Sequence, residues 1–590
     1  MAARPVAAAV LLAAAAPRAL GMGREERIEL REAARGLFTH GYDAYMAHAF
    51  PRDVLKPLSC TGADGWGSIS LTLIDTLDTL ALMNNATEFA RAVSWCVDHV
   101  SFDVDETVSL FETTIRALGG LLSAHLLASD RTLGLMDATP YDPRAGLLAL
   151  AVDLADRLMP ALNTSTGIPY GSVNLRRGVD AAESPIACTA AAGTLALEFG
   201  ALSALTRDGR YAAAAQRAAF AVWRRRSTKD LLGAHVHLES GAWTQADSGI
   251  GRGIDSFYEY MLKAHLLLGG DGYLAVFHDA YHAALAHLHR APWYVDAHLA
   301  SGQVTWPLFN SLQCFWPGMQ SMIGETELAI ETLRAFHSLW RHLGYHPEGF
   351  NLHDLAIQTG QEGYPLRPEH AESLFYVHRA TGADEWLRAG ADVLASLQRL
   401  RVPCGIAALS DVANRTPEDA MESFFLSETA KYLFLLFDPD DEVYEHGRRA
   451  AHPADARARG VAGAPSCRAR VAPRLYGEPG HVAGTSSRPR RTRSPSTSLS
   501  SAKVASDGSA GRRRMTPRRS PTPSLSSGMR RRRATRRCSR GRARCPVSRR
   551  AAPRADPLPP RRACRVMSLS SVNPPTRTAR WGYPTQCLDF

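Results

Sequence analysis

The chain has 590 residues and a formal net charge of +10, more length than one ordinary domain needs. The charge is divided: residues 1–445 carry 34 Lys+Arg against 53 Asp+Glu, net −19, and residues 446–590 carry 34 against 5, net +29. An acidic body joined to a basic tail means that the overall balance describes neither part, and the ten cysteines show no zinc-type spacing such as Cys-x-x-Cys.

Residues 1–21 read as a secretory signal, with Arg4 before the apolar run Val6–Ala16 and small residues for cleavage at Ala19-Leu20-Gly21. That run is too short to span a bilayer, and no membrane span is expected further on. Sequons at Asn85, Asn163 and Asn414 suit a glycosylating compartment. From there helical periodicity dominates and strand alternation is nearly absent. Fourteen helices are expected, near 25–47, 68–83, 86–99, 108–127, 145–160, 184–206, 209–226, 254–268, 272–289, 309–323, 325–343, 368–380, 384–400 and 420–436. The even members are apolar nearly all round, as buried helices are, and the odd members carry Arg and Glu on one face. Seven inner-plus-outer hairpins predict an all-α double ring over 22–445, because each hairpin buries its inner face only against neighbours. Cys96, Cys188 and Cys314 lie on apolar helical segments and read as buried thiols, whereas Cys60 and Cys404 lie in polar loops.

If hairpins alternate in direction, all even helices start at one pole. Glu112, Asp255, Glu369 and Glu422 lie near such starts, and the loop 344–367 brings Glu348 to the same pole. Any one of these acids alone reads more readily as a cap or first-turn charge favoured by the helix dipole and its free N–H groups. Five together, amid Arg116, Arg367, Phe257, Tyr258, Phe375 and Trp316, suit a sugar, whose rings stack on aromatics and whose hydroxyls bond to carboxylates. Paired carboxylates are also what glycosidic cleavage needs.

The stretches SLFETTIRALGGLLSAHLL, SGIGRGIDSFYEYMLK, YPLRPEHAESLFY and MESFFLSETAKYLFLLF resemble signatures of glycoside hydrolase family 47, over about residues 30–440. The likeness is greatest to its ER degradation-enhancing α-mannosidase-like members. The resemblance implies an (α/α)7 barrel and inverting hydrolysis of α-1,2-linked mannose on high-mannose N-glycans in the endoplasmic reticulum lumen, marking misfolded glycoproteins for degradation. It implies Glu112 as proton donor through water, Glu369 as base, Asp255 as the third central acid and Glu348 as a further active-site acid. Arg116, Arg367, Glu372 and Glu422 match positions lining the sugar pocket, and Gln313 stands where processing mannosidases usually have histidine.

The family's barrel is plugged by a hairpin whose threonine binds calcium. Here FLLFDPDDEVYEHG is followed by Arg449-Ala450-Ala451-His452-Pro453, so only an Ala-His-Pro remnant is present and no metal ligand is assigned. Residues 446–590 hold 33 Arg and one Lys, a composition that cannot build a core. A misread frame of GC-rich coding sequence would give the same bias. The segment is expected to lie outside the working enzyme, and the chain as written to be inactive or weak. Cys60 and Cys404, before helices two and fourteen, are expected to form a disulfide across the seam of the ring; the alternative is exchange with a thioredoxin-like oxidoreductase. A mannose-binding lectin on the same scaffold is the second reading of the body. A third, nucleic-acid binding through the tail, lacks interleaved aromatics and places the tail in the wrong compartment.

Overall fold

A computed structural model describes residues 21–440. The expected signal segment, apart from Gly21, and the tail from 441 lie outside the described residues. The fourteen expected helical segments are all present within a few residues of their expected ends. The inner ring is formed by Leu71–Leu82, 110–129, 189–206, Asp255–Leu268, 311–322, Glu369–Thr381 and 425–437. The outer ring is formed by Arg24–His48, Ala86–His99, Leu147–Leu158, Arg210–Trp223, Asp271–His287, Thr326–Leu343 and Asp384–Gln398. Each inner helix packs on the outer helix that follows it, and the last inner helix packs on the first outer one. The barrel is an (α/α)7 ring whose seam is closed by the two ends of the domain.

Burial follows the apolar pattern. In Leu71–Leu82 residues 71–80 are all buried, whereas Thr326–Leu343 buries one face and turns its acids and arginines outward. Small residues set the closest contacts. A Cβ on Gly120 would stand 2.6 Å from the Ile74 carbonyl oxygen, so this glycine permits the approach of the second and fourth helices. Gly119 is not needed for the same purpose, since its nearest contact would be 3.7 Å. The sixth helix, 189–206, is apolar and long enough to cross a membrane by composition, but it is an inner wall with 72% of its residues buried.

The two poles differ. Among the described residues, all nineteen strands, each two to four residues long, lie in the connections that lead from an outer helix to the next inner one. They form small antiparallel ribbons, such as Gly349–Asn351 between Leu308–Asn310 and Ala356–Ile357. Most return connections are two or three residues, such as 269–270 and 382–383. One pole is therefore elaborated, and it is the pole at which every inner helix starts. The expectation of almost no strand is corrected here: ribbons this short leave no period-two signature.

The seam is held at several points. Arg31 donates to Asp438 (3.0 Å) and Arg27 to the Asp438 carbonyl (2.7 Å). Cys60 and Cys404 are joined by a disulfide, with Cα atoms 5.4 Å apart across a sequence separation of 344. Cys96, Cys188 and Cys314 are buried, as expected, and stand outside this disulfide.

Candidate active site

The inner ring encloses a cavity of about 720 Å³ that runs from Trp66, Glu112 and Phe424 at the elaborated pole to Leu82 and Leu435 at the far one. Four of the expected carboxylates, Glu112, Asp255, Glu369 and Glu422, line it together with Arg116, Arg367 and Glu372. Two expected residues stand behind the lining. Glu348 reaches the cavity through Arg367, which donates to it from Nε (2.6 Å) and Nη2 (2.7 Å). Gln313 is buried and points its amide at the Leu308 carbonyl (3.4 Å).

Each acid is placed by local structure. Glu112 ends the opening turn of the fourth helix, whose Ser109 hydroxyl accepts from the Glu112 N–H (3.3 Å). A π-helical turn follows at Thr113–Leu118, a geometry often found at functional sites. It places Arg116 so that Nε donates to Glu112 Oε2 (2.9 Å) and Nη1 to Glu422 Oε2 (3.2 Å). A second π-helical turn, Phe425–Thr429, follows Glu422 on the facing element. Asp255 is the first residue of its helix, behind Ile254 at the N-cap, and accepts from the Ser256 N–H (2.8 Å), so the first-turn and site readings hold together. Glu369 is the first residue of its helix behind Pro368.

Burial dominates the electrostatics. It raises the Glu112 pKa, with Arg116 opposing, and raises that of Glu369 well above the ordinary carboxylate value, with Arg367 opposing. Oε2 of Glu369 is buried without a hydrogen-bond partner among the described residues. Deeper in the cavity, burial lifts Glu372 to about 8 despite Lys263 beside it (3.4 Å). Tyr432 donates to the same carboxylate (3.3 Å).

Several residues of this wall were not singled out from the sequence. Arg116 lies between two rings, 5.4 Å from Trp66 and 5.0 Å from Phe424. Trp66 is held by a buried aspartate, Asp53, whose two oxygens accept five backbone N–H groups between Gly65 and Leu71 at 2.8–3.2 Å. At the foot, Lys431 donates to both oxygens of Asp78 (2.8 and 2.9 Å). Conversely, Phe257, Tyr258 and Trp316 belong to the wall core and not to the mouth, as Trp316 stands 5.2 Å from Tyr258 edge to face. Of the aromatics expected there, Phe375 lines the cavity. Asn85, Asn163 and Asn414 are all exposed, which glycan attachment requires.

Comparison with known proteins agrees with this geometry. Residues 37–448 match the model of glycosyl hydrolase family 47. The chain is 52% identical over 427 residues to alpha-mannosidase I MNS4 of Arabidopsis thaliana, covering 72% of this chain and 68% of that protein. It is 42% identical over 418 residues to ER degradation-enhancing alpha-mannosidase-like protein 2 of Homo sapiens, covering 71% and 72%. Among solved structures, an alpha-1,2-mannosidase from Trichoderma reesei matches with a TM-score of 0.62 at 26% identity, covering 70% of this chain and 93% of that one. An acid-walled (α/α)7 barrel with such relatives is of the glycoside hydrolase class. The chain belongs to glycosyl hydrolase family 47.

Proposed function

We propose that the barrel is an inverting α-1,2-mannosidase that trims high-mannose N-glycans of misfolded glycoproteins in the endoplasmic reticulum lumen. The observation that carries this reading is the convergence of Glu112, Asp255 and Glu369 on one cavity at the pole where the inner helices start. Inversion needs one carboxylic acid to protonate the leaving oxygen and one carboxylate to activate water. Burial raises the Glu112 pKa, which keeps a proton available, and Arg116 fixes its orientation. Glu369, equally desolvated and with Oε2 unpartnered, is the base: a raised pKa makes it a stronger acceptor near neutral pH. Asp255 shares the same wall and orients the sugar or its water. Trp66 and Phe424 line the same cavity beside Arg116 and offer the mannose ring apolar surface.

The described donors fit a calcium ion. Glu369, Glu372, Glu422 and Glu428 wall the cavity with oxygen, one carboxylate oxygen is orphaned, and hard cations take oxygen ligands. When bound, the ion would neutralise this wall and orient sugar hydroxyls. The family's threonine-bearing hairpin would follow residue 440, where this sequence carries only Ala451-His452-Pro453.

The test supplies such a hairpin from a family relative after residue 440, giving a closed barrel. Incubated with a high-mannose N-glycan, it should release free mannose. Binding of the glycan with no release, unchanged by Glu369→Gln, would instead make the barrel a lectin.

A further inference from the structure

Cys314, His346 and His370 lie outside the cavity wall, directly behind it. All three are buried, and one ligand atom from each stands within 4.8 Å of the others. The thiol sulfur is 3.4 Å from His346 Nδ1. The two imidazole rings meet edge to face, with centroids 4.7 Å apart.

The proton positions on both rings follow from their partners. His346 Nε2 meets the Phe336 carbonyl oxygen at 2.8 Å. A carbonyl can only accept, so Nε2 carries the hydrogen and Nδ1 presents a lone pair toward Cys314. The proton on His370 is set through one further ring. His337 Nε2 meets Asp392 Oδ2 at 3.3 Å, and the carboxylate accepts, so His337 Nδ1 is the bare nitrogen. That nitrogen meets His370 Nε2 at 3.2 Å, so His370 donates from Nε2 and its lone pair also sits on Nδ1. His370 is 3% exposed and its Nδ1 has no hydrogen-bond partner. An orphaned buried lone pair is costly unless something fills it.

We propose that Cys314, His346 and His370 bind a zinc ion through three protein ligands, with a water completing the tetrahedron. Two oriented imidazole lone pairs and one thiol are a donor set that suits zinc. The 3.4 Å separation of Sγ and Nδ1 matches the roughly 3.5 Å edge of a tetrahedron with about 2.3 Å zinc–sulfur and about 2.0 Å zinc–nitrogen bonds. The outer partner of His346, a backbone carbonyl, is one that ligating histidines use, and His370 donates to an imidazole that is itself backed by a carboxylate. Binding forms a zinc–thiolate bond and releases the thiol proton to solvent; no redox step is involved. The three ligands come from separate elements, namely the turn Ser311–Phe315, the loop after the eleventh helix and the start of Glu369–Thr381. An ion there would pin together the backbone that carries Gln313, Glu348 and Glu369.

The full-length protein, refolded with zinc alone and dialysed, should retain one zinc more per chain than Cys314→Ala or His370→Leu treated identically. Zinc should raise the unfolding temperature of the unaltered protein and not of either variant. Equal zinc content in all three proteins would overturn the site, because the metal would then lie elsewhere; so would no retained zinc. If the variants do not fold, X-ray absorption at the zinc edge of the unaltered protein decides. One sulfur and two imidazole nitrogens are expected, and a shell of oxygens or of several sulfurs would overturn the proposal.

Discussion

Arg367 gives Nε and Nη2 of its guanidinium to Glu348, at 2.6 and 2.7 Å, while Glu369, two residues along the chain, has no partner on Oε2. Bidentate pairing is directional, and here it aims these two N–H donors at Glu348, leaving only the field of Arg367 to act on Glu369. Replacing Glu348→Gln frees the fork to turn to Glu369, whose pKa then falls. The acidic limb of the pH–rate profile of the closed barrel should move to lower pH, and turnover should fall by about 10–100-fold as the base weakens. A limb that stays in place would show that Glu348 does not act through Arg367 on Glu369.

A desolvated Glu369 with a raised pKa costs stability once it ionises. The sign is set by linkage: the folded state binds this proton more tightly than the unfolded one. The cost is therefore absent below the unfolded pKa near 4.5, grows as pH rises from there through the folded pKa, and is full above it. Glu369→Gln should raise the melting temperature of metal-free protein at neutral pH, with the gain vanishing near pH 4. A gain that is the same at both pH values would assign it to packing.

The Cys60–Cys404 bond joins the two ends of the ring. Replacing either cysteine with serine should destabilise the barrel by about 2–4 kcal/mol, the usual worth of a bridge that closes a long loop. Denaturant unfolding of the variants measures it. An unchanged midpoint, with exchange onto a thioredoxin-like oxidoreductase, would favour the redox reading instead.

Much of this architecture can be read from periodicity. The fourteen helices follow from apolar spacing, and placing four acids on one cavity needed only that even helices share a direction. What could not be read depends on distant partners. Asp53 is one carboxylate among many until five backbone N–H groups from the far end of its own connection fold around it. Glu259 and Lys263 look like an ordinary exposed i, i+4 pair, yet Lys263 also meets Glu372 inside the barrel. Phe257, Tyr258 and Trp316 looked like mouth aromatics because helix phase is blurred where nearly every face is apolar. Cys314, His346 and His370 show no metal spacing, since three separate elements bring them together.

The basic stretch from 446 onward should contribute nothing to catalysis. The cavity runs the length of the inner helices, and no described residue closes its far end with the family's threonine. Mannose release by the chain as written should be at least about 100-fold slower than by the closed barrel, the worth of a few kcal/mol of cation stabilisation. Calcium-dependent release at equal rates from the two proteins would remove this account of the tail.

The central claim is that Glu112, Asp255 and Glu369 hydrolyse an α-mannoside with inversion. Time-resolved proton NMR of the closed barrel acting on an α-1,2-linked mannobiose-terminated glycan tests it most directly. β-Mannose should appear first and mutarotate afterwards, and a folded Glu369→Gln variant should release none on that timescale. α-Mannose as the first product, or release undiminished in the variant, would contradict the account.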